Sequence, residues 1–218
     1  MDTRIETRVI EATPEHGLFL AWVCLTAFRS HLQRSFWDFM LGGDEEYMLR
    51  YLAALTTTEQ RHWSHYSTFL IAEADGQPAS ALCGYFDAEL GGPTLRLASA
   101  DANQRTGRSD KAAAEGFARA SSIMNVLPDH AEGAWIVENV ATAADFRRQG
   151  LCERLVEEIL ERGRARGATV SDISVFIGND RAQRVYEKCG FQVVSEKRDA
   201  EFEKVYRTPG TRTLRRAI

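Results

Sequence analysis

The sequence predicts an α/β or α+β fold, a sheet with helices on its faces. Two observations carry this prediction. From residue 134 to 198, short runs rich in Val, Ile and Phe alternate with amphipathic helical stretches. Upstream, Asp75-Gly76 separates two apolar runs in "STFLIAEADGQPASALCGYFDAE", the pattern of a hairpin closed by a type I′ turn. With 218 residues, 44% of them hydrophobic and only 5 prolines, the chain has ample material for a core. No linker, internal repeat or low-complexity tract divides it. One domain is therefore expected over 1–218, with an insertion at about 88–133.

Residues 4–12 read as the first strand. In "TPEHGLFLAWVCLTAF", Thr13 can cap a helix that has Pro14 at its first position, and the apolar residues keep helical spacing. Short helices are expected at 35–41 and 44–55, and the hairpin follows. The stretch "GGPTLRLASADANQRTGRSD" is polar and turn-rich, while "KAAAEGFARASSIM" reads as a helix. Functional loops often interrupt a regular pattern in this way. The alternation then resumes: strand 134–142, helix 151–166, strand 169–177, helix 180–188, strand 191–198, and a last strand at 211–218.

A formal net charge of −4 argues against a general nucleic-acid binder and suits basic or amine substrates better. Cys24, Cys83, Cys152 and Cys189 form no CxxC pair, so neither a zinc site nor a disulfide framework is signalled. Reduced thiols in a cytoplasmic protein are expected. The charged start "MDTRIETRVIEAT" reads as a strand, no run of eighteen apolar residues appears, and neither a signal peptide nor a membrane segment is expected. His62 and His65 in "HWSH" have no local carboxylate or cysteine beside them, so no metal is expected there. Phe36, Trp37, Phe39, Tyr47 and Tyr51 fall at helical spacing and read as packing.

The chemistry concentrates in two motifs. In "FRRQGLCERLVEEIL", residues 146–160, Arg147, Arg148 and Gln149 run into Gly150, and an amphipathic helix starts at once. One reading is an ordinary turn with solvated arginines. The other is a phosphate cradle: a helix start offers free N–H groups and a positive dipole end, and a glycine lets a ligand approach the backbone. The second motif is "NDRAQRVYEKCGF", 179–191. Asn179 or Asp180 can cap a short helix, Ala182, Val185, Tyr186 and Cys189 share one face, and Gly190 ends it. Taken alone, Tyr186 reads as a core aromatic.

Together the motifs resemble the GNAT superfamily of N-acetyltransferases. Arg147, Arg148, Gln149, Gly150, Leu151 and Cys152 match its Q/R-x-x-G-x-G/A loop, with Cys152 in place of the usual Gly or Ala. Asn179, Ala182, Val185, Tyr186, Gly190 and Phe191 match N-x-x-A-x-x-hydrophobic-Y-x-x-x-G-F. The strong match covers 134–195.

The resemblance implies a mixed, mostly antiparallel sheet with two splayed parallel strands, here 134–142 and 170–177. It implies acetyl-CoA or another acyl-CoA as cosubstrate and no metal. The pyrophosphate would sit on the backbone of 148–152, the pantetheine arm along Val140, Ala141 and Thr142, and Asn179 would line the other side. Direct transfer to a small-molecule or peptide amine follows, with Tyr186 as general acid toward the CoA thiolate. In this family the early helices and the insertion border the acceptor pocket, which places Trp37 or Tyr47 near substrate. Glu138 is the candidate base, or the anchor of the substrate ammonium. It is expected to share a face with Val140 and Thr142, because strand residues alternate. Its structural alternative is a carboxylate that lies near a strand end or pairs with an arginine. The rival readings are a non-catalytic acyl-CoA-binding sensor or scaffold, and an RNA-directed acetyltransferase. A monomer or homodimer is expected.

Overall fold

The computed structural model describes residues 6–218. It contains a seven-stranded sheet in the order β1-β2-β3-β4-β5-β7-β6. The strands are β1 (Thr7–Glu11), β2 (Phe69–Ala74), β3 (Gln77–Phe86), β4 (Trp135–Thr142), β5 (Val170–Phe176), β6 (Gln192–Arg198) and β7 (Gly210–Ala217). Every pair is antiparallel except β4–β5. Residues 4 and 5 of the predicted first strand lie outside the described residues. The hairpin forms as its sequence dictates: Asp75 (φ 49°) and Gly76 (φ 76°) both take the left-handed conformation that a type I′ turn needs.

Helices cover both faces. On one lie α1 (Gly17–Arg29), α2 (Phe36–Leu41), α3 (Glu45–Thr56) and α5 (Gly92–Thr106), which join Phe69, Ile71, Ala81, Cys83 and Ala141 of the sheet in one apolar cluster. On the other, α7 (Leu151–Ala165) and α8 (Asp180–Lys188) bury Leu155, Val156, Ile159, Tyr186 and Cys189 against Leu70, Leu82, Trp135, Val137 and Ile173. Trp135 fixes how α7 sits. A Cβ on Gly84 of β3 or Gly163 of α7 would come within 2.6 or 2.7 Å of its indole, so two glycines let the ring lie between strand and helix.

Three elements differ from the sequence reading. Thr13 and Pro14 start a single 3-10 turn, Pro14–His16, and α1 begins only at Gly17. The stretch read as turn-rich is mostly α5, preceded by the one-turn α4 (Asp87–Leu90) and followed by α6 (Asp110–Ala120). Its polar composition hid the helix, because only Ala98 and Ala102 are buried and two small residues make no visible apolar stripe. The helix α9 (Ala200–Tyr206) was not foreseen. It buries only Phe202 and Tyr206, in a small cluster with Ile123 and Val126. The early aromatics pack as expected: Phe36 and Trp37 meet Phe28 at 5.9 Å, and Phe39 meets Tyr206 at 5.0 Å.

Candidate active site

The site is built where the parallel pair opens. β4 and β5 are paired only over Trp135–Val137 and Ser171–Ile173. Beyond Val137, β4 has no partner on that side among the described residues, so its backbone there is free to accept an added strand-like ligand. At the same point β4 carries a bulge. Ala81 of β3 pairs with Ala141 and Cys83 with Glu138, so one residue of β3 faces two of β4. Asn139 takes φ 52° to make it, a conformation that asparagine tolerates better than most side chains.

The bulge corrects the expectation for Glu138. Cross-strand partners share a face, so Glu138 stands with Cys83 on the α1 side of the sheet. Val140 packs with Trp135 and Val137 on the α7 side. The extra residue inverts the alternation between them.

Glu138 is half-buried, and among the described residues no arginine forms an ion pair with it. Burial pushes its carboxyl above the ordinary range, with Asp87 adding to the rise, although His130 and the Tyr85 hydroxyl oppose it. Tyr85 is itself held protonated by burial and by the Glu138 charge. Beside them, Asn139 Nδ2 donates to Ser64 Oγ at 2.9 Å and reaches Cys83 Sγ at 3.4 Å, which ties the bulge to the 62–68 turn. Asn139 Oδ1 is buried without a partner.

The histidines of that turn are structural. His62 Nε2 donates to the Leu55 carbonyl and its Nδ1 accepts from Ser64 N–H; His65 Nε2 donates to the Thr58 carbonyl and its Nδ1 accepts from Ser67 N–H. A groove of about 580 Å³ lined by Thr58, Arg61, His65 and Tyr66 shares no residue with the fork. Trp37, expected near substrate, is buried in the α1 core, and Tyr47 packs at its edge.

After β4, a 3-10 turn at Ala144–Phe146 leads to Arg148 (φ 64°) and Gly150 (φ 76°). α7 makes its first bond from Arg154 N–H to the Gly150 carbonyl, so the N–H groups of Leu151, Cys152 and Glu153 have no partner within the helix. A Cβ at Gly150 would meet no atom within 4 Å. The glycine therefore answers to its φ and to open space, not to crowding by the protein. Arg148, Gln149 and Gly150 are exposed; Gln149 Nε2 donates to the Asp145 carbonyl. Arg147 turns back, donating from Nε to the Thr142 carbonyl at 3.1 Å. An exposed helix start with free N–H groups and an arginine beside it fits a pyrophosphate.

Cys152 packs at the edge of the α7 core. Burial pushes its thiol up to about 12, so the helix dipole does not make it a thiolate. Tyr186 lies in the same cluster, and burial, then Cys152 and Cys189, raise its phenol far above the ordinary range. Ala182 and Val185 line its face as the spacing predicted. Asn179 caps α8 by accepting from Ala182 N–H at 3.2 Å, and its amide donates to Ser30 Oγ at the end of α1. The sequence reading set it beside the cofactor; here its side chain joins the two helices.

Tyr85, Asn139, Ser64 and His130 escaped the sequence reading. The residues that surround Glu138 come from β3, the 62–68 turn and the loop before β4, and no local spacing links them. For His130, the only signal was a histidine in the polar stretch "PDHAEG" directly before the central strand.

The fold thus brings together a sheet forked at a bulge and an open helix start beyond it. The acetyltransferase (GNAT) family profile matches residues 30–191, well over half of the chain, and the protein belongs to that family. No curated protein sequence matches it. Among solved structures, one described as an acetyltransferase is similar at 18% identity and TM-score 0.70, covering 97% of this chain and 99% of its own. An N-acetyltransferase from Staphylococcus aureus Mu50 matches at 14% identity and TM-score 0.66, covering 96% and 100%. The ribosomal-protein-S18-alanine N-acetyltransferase from Escherichia coli matches at 14% and 0.52, covering 98% and 94%. These identities show a shared fold. Members of the family normally use acetyl-CoA. Among the described residues, no group of three or more His, Cys, Asp or Glu could hold a metal, and no helix is long and apolar enough to cross a membrane.

Proposed function

We propose that the chain transfers an acetyl group from acetyl-CoA directly to a primary amine, on a small molecule or a peptide. The observation that carries this reading is the coincidence, at one fork, of a carboxylate with raised proton affinity and a free helix N-terminus. The backbone N–H groups of 148–152, with the Arg148 side chain alongside, would hold the pyrophosphate, and the unpaired edge of β4 at Val140, Ala141 and Thr142 would hold the pantetheine arm. Bound there, the cosubstrate supplies an acyl thioester.

The rest is the work of this chain. An alkyl amine of pKa about 10.4 is protonated at pH 7, and freeing its lone pair costs about 4.6 kcal/mol. Glu138 takes that proton; a carboxyl with raised pKa is a stronger base than a free one. Tyr186, held neutral by burial, has a proton to give to the departing thiolate. Asn139 keeps the bulge, and so keeps Glu138 turned to the acceptor side.

The test is a screen of amine acceptors with acetyl-CoA, following free thiol release. Release that depends on the amine and disappears in Glu138→Gln supports the reading. No release with any amine, together with no thermal shift on adding CoA, overturns it.

A further inference from the structure

Glu138 has a neighbour that the proposed reaction leaves unused. Asp172 of β5 is fully buried, and three groups converge on it. Arg215 of β7 binds both its oxygens at 2.7 and 2.8 Å, Ala131 N–H donates at 2.8 Å, and His130 Nδ1 lies 3.6 Å away. Against the rise that burial would cause, Arg215, then His130 and the Ala131 amide, hold the carboxylate charged, well below the usual range. Nδ1 of His130 is buried, and among the described residues Asp172 is the acceptor it faces, at ion-pair distance.

The register puts Asp172 on the face of the sheet that carries Glu138. Tyr85, Ile136 and Asp172 are partners in one row across β3, β4 and β5, and therefore share a face. Glu138 is two residues beyond Ile136 and precedes the bulge, so it is on that face as well. His130 is anchored to the row at Asp172 and acts electrostatically on Glu138.

On the acetyl-transfer reading above, we propose that His130, oriented by Asp172, is the positioning and relay group that carries the acceptor's proton from Glu138 to solvent. The bookkeeping is simple. The ammonium N–H bond breaks as an O–H bond forms on Glu138. That O–H breaks as an N–H bond forms at His130 Nε2, giving an imidazolium whose Nδ1–H faces Asp172. The imidazolium then loses its Nε2 proton to water. Asp172 stays ionised throughout, holding the tautomer and stabilising the cation. Other groups that bear on the pair are Tyr85 and Cys83 of β3, Asp87 of α4, and Arg215, already engaged by Asp172.

The test is His130→Gln, read in two ways. The Glu138 carboxyl, assigned by its loss in Glu138→Gln, is followed by ¹³C NMR against pH, independently of turnover. It should titrate at higher pH in His130→Gln than in the native protein. In turnover, kcat should fall about 10²-fold, the low end for a positioned acid–base group, with both KM values held, and added imidazole should restore activity to His130→Gly. An unmoved Glu138 titration overturns the proposal. So does a loss of activity that only tracks a loss of thermal stability and ignores imidazole. If Glu138→Gln is inactive while His130→Gln turns over normally, the relay fails and the acetyl-transfer reading stands. If the native protein acetylates no amine, that reading fails, and the NMR titration alone decides whether the two residues are coupled.

Discussion

Glu138 and Val140 sit two residues apart on one strand and face opposite sides of the sheet, because Asn139 between them is an inserted bulge residue at φ 52°. In a regular strand they would share a face, and the carboxylate would be driven into the apolar core under α7. The bulge sends Glu138 toward α1, the 62–68 turn and His130, and leaves Val140 to pack with Val137. One residue of extra backbone thus puts the carboxylate and the valine on opposite faces of the sheet.

The consequence for acid–base chemistry is a pH profile. Because burial raises the Glu138 carboxyl above 4.5, kcat/KM is expected to rise with pH through that elevated value and to level off above it. In Glu138→Gln the limb should vanish and turnover should fall by about 10²-fold or more. An unchanged profile would remove Glu138 from the reaction.

Tyr186→Phe deletes one hydroxyl from a packed ring. CoA affinity and melting temperature should hold, while kcat falls about 10²-fold. Cys152→Ala, in the same cluster, should stay within a few-fold of native activity, since its thiol is held protonated and serves packing. Equal losses in both variants would reassign the acid.

At Gly150 the backbone has φ 76° with open space around it. Adding CoA should raise the melting temperature of the native protein by mass action. Gly150→Ala should cost about 1 kcal/mol of stability from the left-handed conformation, and Gly150→Glu should in addition abolish the CoA shift by setting a negative charge where phosphates bind. A full shift in Gly150→Glu would move the cofactor elsewhere.

Gly84→Ala places a methyl group 2.6 Å from both Trp135 and Ile159. Overpacking of this kind should destabilise by about 1–3 kcal/mol, measured by urea unfolding, with activity per folded molecule little changed.

The His62 imidazole is buried neutral, its pKa lowered from 6.5 to about 4, chiefly by desolvation. Between those values the unfolded chain takes up a proton that the native protein refuses. Stability therefore rises with pH across this window and is lost on acidification from 6.5 toward 4. At roughly 1.4 kcal/mol per unit, the effect is about 3 kcal/mol at most. In His62→Asn, the slope of unfolding free energy against pH over this window should flatten.

What the sequence by itself determined is the periodic and the local. The α7 stripe of Leu151, Leu155, Val156, Ile159 and Leu160, the Asp75-Gly76 turn, the loop ending at Gly150 and the capped α8 with Tyr186 are each written in a few consecutive residues, and the structure forms each of them. Where the apolar signal was thin, as in α5 with its two buried alanines and in the seven-residue α9, composition hid the helix. The tertiary structure alone decided what surrounds Glu138. Tyr85, Ser64, His130 and Asp172 come from four separate elements, and they meet through strand register and a bulge whose inserted residue leaves no periodic trace. Register is fixed by which faces are buried across the whole sheet, not by any one strand. The two motifs were therefore legible in the chain, and what stands around Glu138 was set only when the sheet closed over both cores.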